Sequence, residues 1–345
     1  MAELLLIKVF CKQRFLFLLA TNDNVTAMYK FAAAIGADIA RLSLRVAVVR
    51  MSGEVILEQN FPLKQRQDRD YLLGELSSAI REMRLRAASG AINPIAVGIS
   101  AKGFIDHEKG VILGPGHGID GWENVPVSKW LGRETGLPVF VGNDANLMTI
   151  AEQRFGAANG FSNVVFVALR TGIGGGIVIN GKLYRGVNNA GGEIGQMIIN
   201  FSGGISDTGI RGSFEYFASA SALVRRYKEE KKSGSGNLKI TAKEIFELSY
   251  NNDFVAVRVV KENAFLVGIG LSNLIAIFAP EIIIIGGGMS GARDSYMKMI
   301  RESAFSNSLE NCRSEVRIER AALGSQAALI GAAFYSLTRL AGKSV

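Results

Sequence analysis

Apolar residues alternate with others from Ile35 to Val49, through Leu42, Leu44, Val46 and Val48. Val55 to Leu57 follows a Ser52-Gly53 turn, so the stretch predicts a β-hairpin. The period then changes. Leu72, Leu73, Leu76, Ile80 and Met83 fall at helical spacing and predict a helix over roughly 69–86 with one face on that sheet. Ile95–Ile99 reads as a buried strand and Val139–Val141 as another, ending at Gly142-Asn143-Asp144, where polar groups at a strand end point into a cleft. Asn163–Leu169 and Gly176–Ile179 are strands again, the second closing on an Asn180-Gly181 turn. A helix over roughly 257–278, a very apolar strand Ile282–Ile285, a glycine run and a small-residue helix from about 324 to 341 complete the chain. Strands and helices alternate, which defines an α/β class.

Composition narrows the picture. With 345 residues, 48% of them hydrophobic, the chain can bury two cores and is not a disordered segment. Glycine contributes 40 residues against 6 prolines, which excludes Pro-rich repeats and leaves the glycines to be explained locally. Two cysteines, Cys11 and Cys312, make no disulfide framework and fit a reducing compartment; with only two histidines, an all-protein zinc site is not expected. No window approaches the roughly 18 apolar residues of a membrane span. Phe15–Ala20 is short, flanked by Lys12, Arg14 and Asp23, and followed by no signal-type cleavage pattern, so a cytoplasmic protein is expected. The net charge of +8 is dispersed, and its densest run, Arg225–Lys232, is interrupted by Glu229 and Glu230. That run predicts a solvated helix end entering the Ser-Gly-Ser-Gly loop at 233–236, not a nucleic-acid patch.

Two glycine motifs are decoys. Gly176–Leu183 comes within one residue of a Walker A loop, but Ile177, Val178, Ile179 and Asn180 form a strand closing on a turn, and Leu183 cannot ligate Mg²⁺. Gly286, Gly288 and Gly291 fit a dinucleotide pattern after a strand, too near the C-terminus for the sheet that pattern opens. What they offer is close approach of a flat ring or phosphate to the backbone. Thr171-Gly172-Ile173-Gly174-Gly175-Gly176 lies between two strands and reads either as an anion-binding nest of backbone N–H groups or as a tight hairpin.

Taken together, Asn143-Asp144-Ala145-Asn146, Ala151-Glu152, Phe155-Gly156, the Thr171–Gly176 run, Asn180–Gly186 and Gly192-Glu193-Ile194-Gly195 resemble the ROK family of sugar kinases and sugar-responsive repressors. Pro280–Gly288 is similar to its adenosine-side segment, and Gly212–Glu215 with Ala218-Ser219 to its sugar-side segment. The resemblance implies a two-lobed actin/hexokinase-like, ribonuclease H-like fold with ATP, Mg and a hexose or amino-hexose in the cleft. Residues 35–141 with about 325–345 would form the small lobe and 142–324 the large one, after a divergent extension over 1–34. Asp144 would be the general base for the attacking sugar hydroxyl. Gly103, Asn143, Glu193, Gln196 and Glu215 would bind the sugar, and Asp38, Thr171, Gly172, Gly174, Gly175, Gly286, Gly287 and Gly288 the nucleotide. Trp122 reads as core or as a sugar neighbour, and His117 as surface or contact.

Three departures from the family follow. Its zinc ligands, one His and three Cys, correspond here to Gln196, Ser206, Thr208 and Ser213, none a usual zinc ligand, so no zinc is expected and hydrogen bonds should hold the loop. Its D-x-G-G-T phosphate turn is Asp38-Ile39-Ala40-Arg41-Leu42, without the glycines or the hydroxyl, and the Gly that leads its second phosphate turn is Arg170. Arg41 and Arg170 either neutralise a phosphate or fill its place. Finally, Met1–Asn22 leaves no room for a helix-turn-helix, so DNA readout by that motif is not expected. Two readings stand: a sugar sensor with weak or no kinase activity, or a zinc-independent ATP-dependent hexose kinase. A homodimer or homotetramer is implied by the resemblance, and no membrane partner.

Overall fold

A computed structural model of the chain describes residues 32–114, 119–231 and 239–342. Three antiparallel strands, β1 (Ala33–Ile39), β2 (Ser43–Arg50) and β3 (Val55–Pro62), precede the short β4 (Gln67–Asp68). Asp68 then caps α1 (Arg69–Ser89) by accepting from the Tyr71 N–H. β5 (Val97–Ala101), the hairpin β6 (Phe104–Asp106) and β7 (Val111–Gly114), β8 (Ile119–Asp120), α2 (Val127–Thr135), β9 (Val139–Asn143) and α3 (Asp144–Phe155) follow.

The same plan is then laid down again. Antiparallel β10 (Val164–Leu169), β11 (Ile173–Ile179) and β12 (Lys182–Tyr184) lead through a loop to α4 (Phe214–Ala218), α5 (Ala220–Glu230), α6 (Ala242–Tyr250) and α7 (Phe254–Phe278). β13 (Ile282–Gly286), α8 (Asp294–Ser306), α9 (Glu310–Arg313), β14 (Arg317–Arg320) and α10 (Ala327–Leu340) complete it. The two five-stranded sheets have the orders β3-β2-β1-β5-β9 and β12-β11-β10-β13-β14, each an antiparallel meander extended by two parallel strands.

α3 and α10 pack between the sheets, α1 and α2 cover the outer face of the first, and α4 to α8 cover that of the second. β1 is buried at all seven positions because β2 and β5 flank it in the sheet while α1 and α10 cover its faces. The helix α10 approaches its neighbours at the level of backbone. A Cβ on Gly98 of β5 would collide with the Ala332 carbonyl of α10, and one on Gly331 of α10 would collide with the Leu147 carbonyl of α3. Glu152 of α3, fully buried, accepts from the N–H groups of Ala157, Ala322 and Leu323 at 2.8–3.0 Å and so ties the end of α3 to the segment feeding α10.

One expectation needs correction. The stretch from Ile35 to Leu57 is a three-stranded meander, not one hairpin, because the chain turns at Ala40–Leu42, where the Ala40 N–H donates to the Ser43 carbonyl. Of the two readings of the Thr171–Gly176 run, the tight hairpin is the backbone observed: Ile173–Ile179 is strand, with Gly174, Gly175 and Gly176 paired to Ala168, Val167 and Phe166. Asn180-Gly181 is the predicted hairpin turn, and Trp122 belongs to the core of the first half, 3% exposed. Arg225–Glu230 ends α5 with Lys228 and Glu229 exposed, while Arg226 and Lys231 pair with Glu262 and Asp253. Residues 1–31, with Cys11 and Phe15–Ala20, lie outside the described residues, as do His117 and the 233–236 loop.

The α10 contact gives a direct test. Gly98→Ala should destabilise the protein by about 3 kcal/mol or more, since both colliding groups are buried backbone or packed against it. Gly74→Ala, on α1 with open space around its Cβ, should be neutral or stabilising by about 0.5–1 kcal/mol. Urea unfolding midpoints of the two variants read the difference.

Candidate functional site

Four strands of the two sheets deliver their carboxyl ends, or the turns after them, to one cleft. β9 ends at Asn143, whose side chain accepts from the Asn146 N–H at 3.1 Å and thereby caps α3. Its amide donates to the Gly103 carbonyl at 3.2 Å, fixing the turn after β5, where Gly103 has φ +89. Asp144 is consequently the first residue of α3, where the helix N-terminus favours a negative charge. One carboxylate oxygen accepts from the Ala145 N–H at 2.9 Å and the other faces Arg170 Nη1 at 3.3 Å.

The Asp144 side chain is 17% exposed. Burial pushes its carboxyl above the ordinary range; the Arg170 guanidinium opposes this, the Asp38 charge adds to it, and Lys102 and the Ala145 N–H pull back. Asp38, at the end of β1 and buried, accepts from Ser100 Oγ at 2.7 Å. Glu193 is also raised, first by burial, then by the charges of Asp144 and Glu215. Four carboxylates and two cations therefore share the cleft, Asp38, Asp144, Glu193 and Glu215 with Lys102 and Arg170.

Glu215 has a second task. One of its oxygens accepts from the Ile173 N–H at 2.7 Å, and a Cβ on Gly172 would collide with that oxygen. The Arg170–Gly172 turn is further held by the Ala220 and Ser221 N–H groups at the start of α5, which donate to the Arg170 and Thr171 carbonyls. Of the predicted nucleotide glycines, Gly174 faces the Ala145 methyl and Gly175 faces Ile194, so their missing side chains make room for protein. A Cβ on Gly286 would meet the Phe166 ring, and one on Gly287, with φ +88, the Leu169 carbonyl and Arg170. Gly288 opens to space. Beside Thr171 lies a depression of about 460 Å³, lined by Ala220, Ser221, Val224, Arg225, Lys228 and Ala242.

Among the residues expected in place of a zinc site, Thr208 Oγ1 donates to Gln196 Oε1 at 2.8 Å and lies 2.7 Å from Ser206 Oγ. The threonine has one proton, so Ser206 donates to it. Ser213 is separate and caps α4 through the Tyr216 N–H. Among the described residues, no group of three or more His, Cys, Asp or Glu is placed to hold a metal ion. Sequence reasoning missed Ser100 and Lys102; their one signal is position, at the carboxyl end of β5. It also missed the contact between Glu215 and the turn, which spans 42 residues of chain.

An acid whose pKa folding raises binds its proton more tightly in the native state, so its charged form opposes folding at neutral pH, and the penalty fades as pH falls through the raised native pKa and is gone below the unfolded-state one. Asp144→Asn should accordingly raise Tm near pH 7–8, on the scale of about 2–4 °C per kcal/mol regained, with the gain shrinking toward pH 4. Calorimetric scans of both proteins across that range measure it.

The sequence profile of the ROK family matches residues 34–339. A glucokinase of Halalkalibacterium halodurans is 31% identical over 86% of this chain and 92% of its own length. A xylose repressor of Caldicellulosiruptor bescii is 30% identical over 91% of this chain and 79% of its own. The crystal structure of a ROK family glucokinase from Streptomyces griseus in complex with glucose and AMPPNP superposes with a TM-score of 0.77 at 31% identity, covering 88% of this chain and 99% of that one. The chain belongs to the ROK family and has its two-lobed, actin-like sugar-kinase fold.

Proposed function

We propose that the protein is a hexose-binding sensor in which phosphoryl transfer is weak. The observation that carries this reading is the Asp144–Arg170 pair: the carboxylate that the family resemblance makes the general base is paired with a cation at the position where that resemblance expects glycine. The other phosphate turn supports it, because Ala40–Leu42 is closed on Ser43 and carries exposed Arg41 and Leu42 side chains in place of open backbone. The sugar would rest on Asn143, Asp144, Glu193, Gln196, Glu215 and the Gly103 turn. The cleft would then lie between a small lobe of 35–141 with about 325–345 and a large lobe of 142–324.

The residues fit a nucleotide in part. The depression beside Thr171 and the open Gly288 suit an adenosine moiety. Asp38 and Thr171 are the groups that would face Mg and phosphate. Bound ATP would supply the phosphoryl group; Asp144 would hold the sugar hydroxyl and accept its proton once released from Arg170. That depression, with the glucokinase relatives, favours the second reading, a hexose kinase using Asp144.

Calorimetry with a hexose panel and ADP release in Mg-ATP separate the two. Saturable sugar binding with little turnover is expected, and turnover on the order of 10 s⁻¹ in the unaltered protein would sink the sensor reading. Arg170→Gly should raise ADP release about tenfold, the worth of a charge-assisted hydrogen bond, while Asp144→Asn abolishes it. Dialysis against a chelator should leave sugar affinity unchanged, as the loop is closed through Gln196, Thr208 and Ser206; a loss of affinity would establish a metal.

A further inference from the structure

Away from the cleft, the β6–β7 hairpin, the C-terminal turns of α10 and the end of β12 meet around His107, Glu108, Arg185, Tyr335 and Arg339. Glu108 is spoken for: its two oxygens each accept from Arg339 at 2.7 Å, and one also lies 3.2 Å from His107 Nε2. That contact fixes the imidazole with its proton on Nε2 and turns Nδ1 inward. His107 Nδ1 and the Tyr335 hydroxyl are buried and make no close hydrogen bond among the described residues, although the Asn189 side chain lies near enough to the imidazole to favour its charged form. The Arg185 guanidinium lies 5.5 Å from the Tyr335 ring centroid, and no carboxylate pairs with it among the described residues. Burial pushes Arg185 down, and Arg339 adds to this; Tyr335 and Glu108 oppose it.

A half-buried cation without a counter-ion beside two unpaired polar atoms is a costly arrangement, and such sites are usually completed by a bound group. We propose that this junction is a second ligand site, taking a phosphate-class oxyanion on Arg185, Tyr335 Oη and His107 Nδ1. The ligand is either free phosphate or the phosphoryl group of a hexose phosphate. Glu108 keeps the proton on Nε2, so an anion at Nδ1 is bound best when the imidazole takes up a second proton. Burial and Arg185 hold His107 below its usual range in the empty site, and Arg339 works the same way, against Glu108 and the Asn189 side chain. At fixed ligand charge binding should therefore tighten as the imidazole takes its second proton, an effect read with glucose 6-phosphate between pH 8 and 7, above its second pKa of about 6. The site bridges the two halves of the molecule, since β6 also touches the turn at Val187–Asn189 that follows β12.

The test is titration of the full chain with inorganic phosphate, and separately with glucose 6-phosphate, read by calorimetry and by the imidazole proton resonances. The sequence has two histidines, so His107→Gln assigns them. Saturable phosphate binding that raises the His107 pKa is expected. Arg185→Gln should weaken it about tenfold or more and Tyr335→Phe measurably less, whereas Arg170→Gln, in the cleft, leaves it unchanged. Tyr335→Phe removes only an unpaired hydroxyl, so it remains informative if Arg185→Gln fails to fold. Tighter binding of the sugar phosphate identifies a phosphorylated sugar as the ligand, and equal binding identifies free phosphate; both uphold the site. Absence of saturable binding, an unmoved His107 resonance, or binding that survives both Arg185→Gln and Tyr335→Phe would overturn it. Binding lost with Arg170→Gln would assign the anion to the cleft and overturn it as well.

Discussion

The placement of α10 governs the rest of the molecule. It lies with its backbone against β5 on one side and against α3 on the other, and at both contacts only a hydrogen fits between main chains. Packing at that distance has no slack, because protein interiors are as dense as organic crystals and a methylene more or less is felt. α3 is therefore held in position along its length, and Glu152 secures its far end with three backbone N–H groups. The near end of the same helix is Asp144. Precision at the cleft is inherited from a contact between elements that carry no chemistry.

Electrostatics in the cleft follows from the same convergence. The turns after β1, β5, β9 and β10 meet there, and with Glu193 and Glu215 they gather four carboxylates, two of which burial and mutual repulsion hold toward the neutral form. Arg170 is the cation that relieves this, and it reaches Asp144 because Gly287 leaves space against its side chain. Charge balance and occupation of the turn after β10 are thus one question in this chain.

Much of this was legible in the sequence. The helix expected over 69–86 runs over 69–89, the strands expected at 139–141 and 282–285 run on to 143 and 286, and the Asn180-Gly181 turn appears where turn chemistry puts it. The break at Ala40–Leu42 was not, because Leu42 and Leu44 keep a period of two straight through it and no Gly or Pro marks the turn. The glycines at 174–176 left a nest and a tight hairpin both open for a different reason. A glycine is equally a sign of backbone freedom and of a neighbour too close for a side chain, and here Ile194, Thr149 and the Ala145 methyl are those neighbours. The Asp144–Arg170 and Glu215–Ile173 contacts join residues far apart in the chain, and no local pattern records them.

Glu215 gives the site one property that no single residue would. One oxygen is committed to the turn after β10, the turn that faces the Thr171 depression, while the other is not. Any hydroxyl that binds the free oxygen draws charge from the committed one and loosens the turn; any anion that orders the turn polarises the carboxylate in return. A sugar and an anion bound together in the cleft would then be thermodynamically linked, each changing the affinity of the other by the same factor. A protein so built would report on a pair of ligands together, even where no bond between them is ever made.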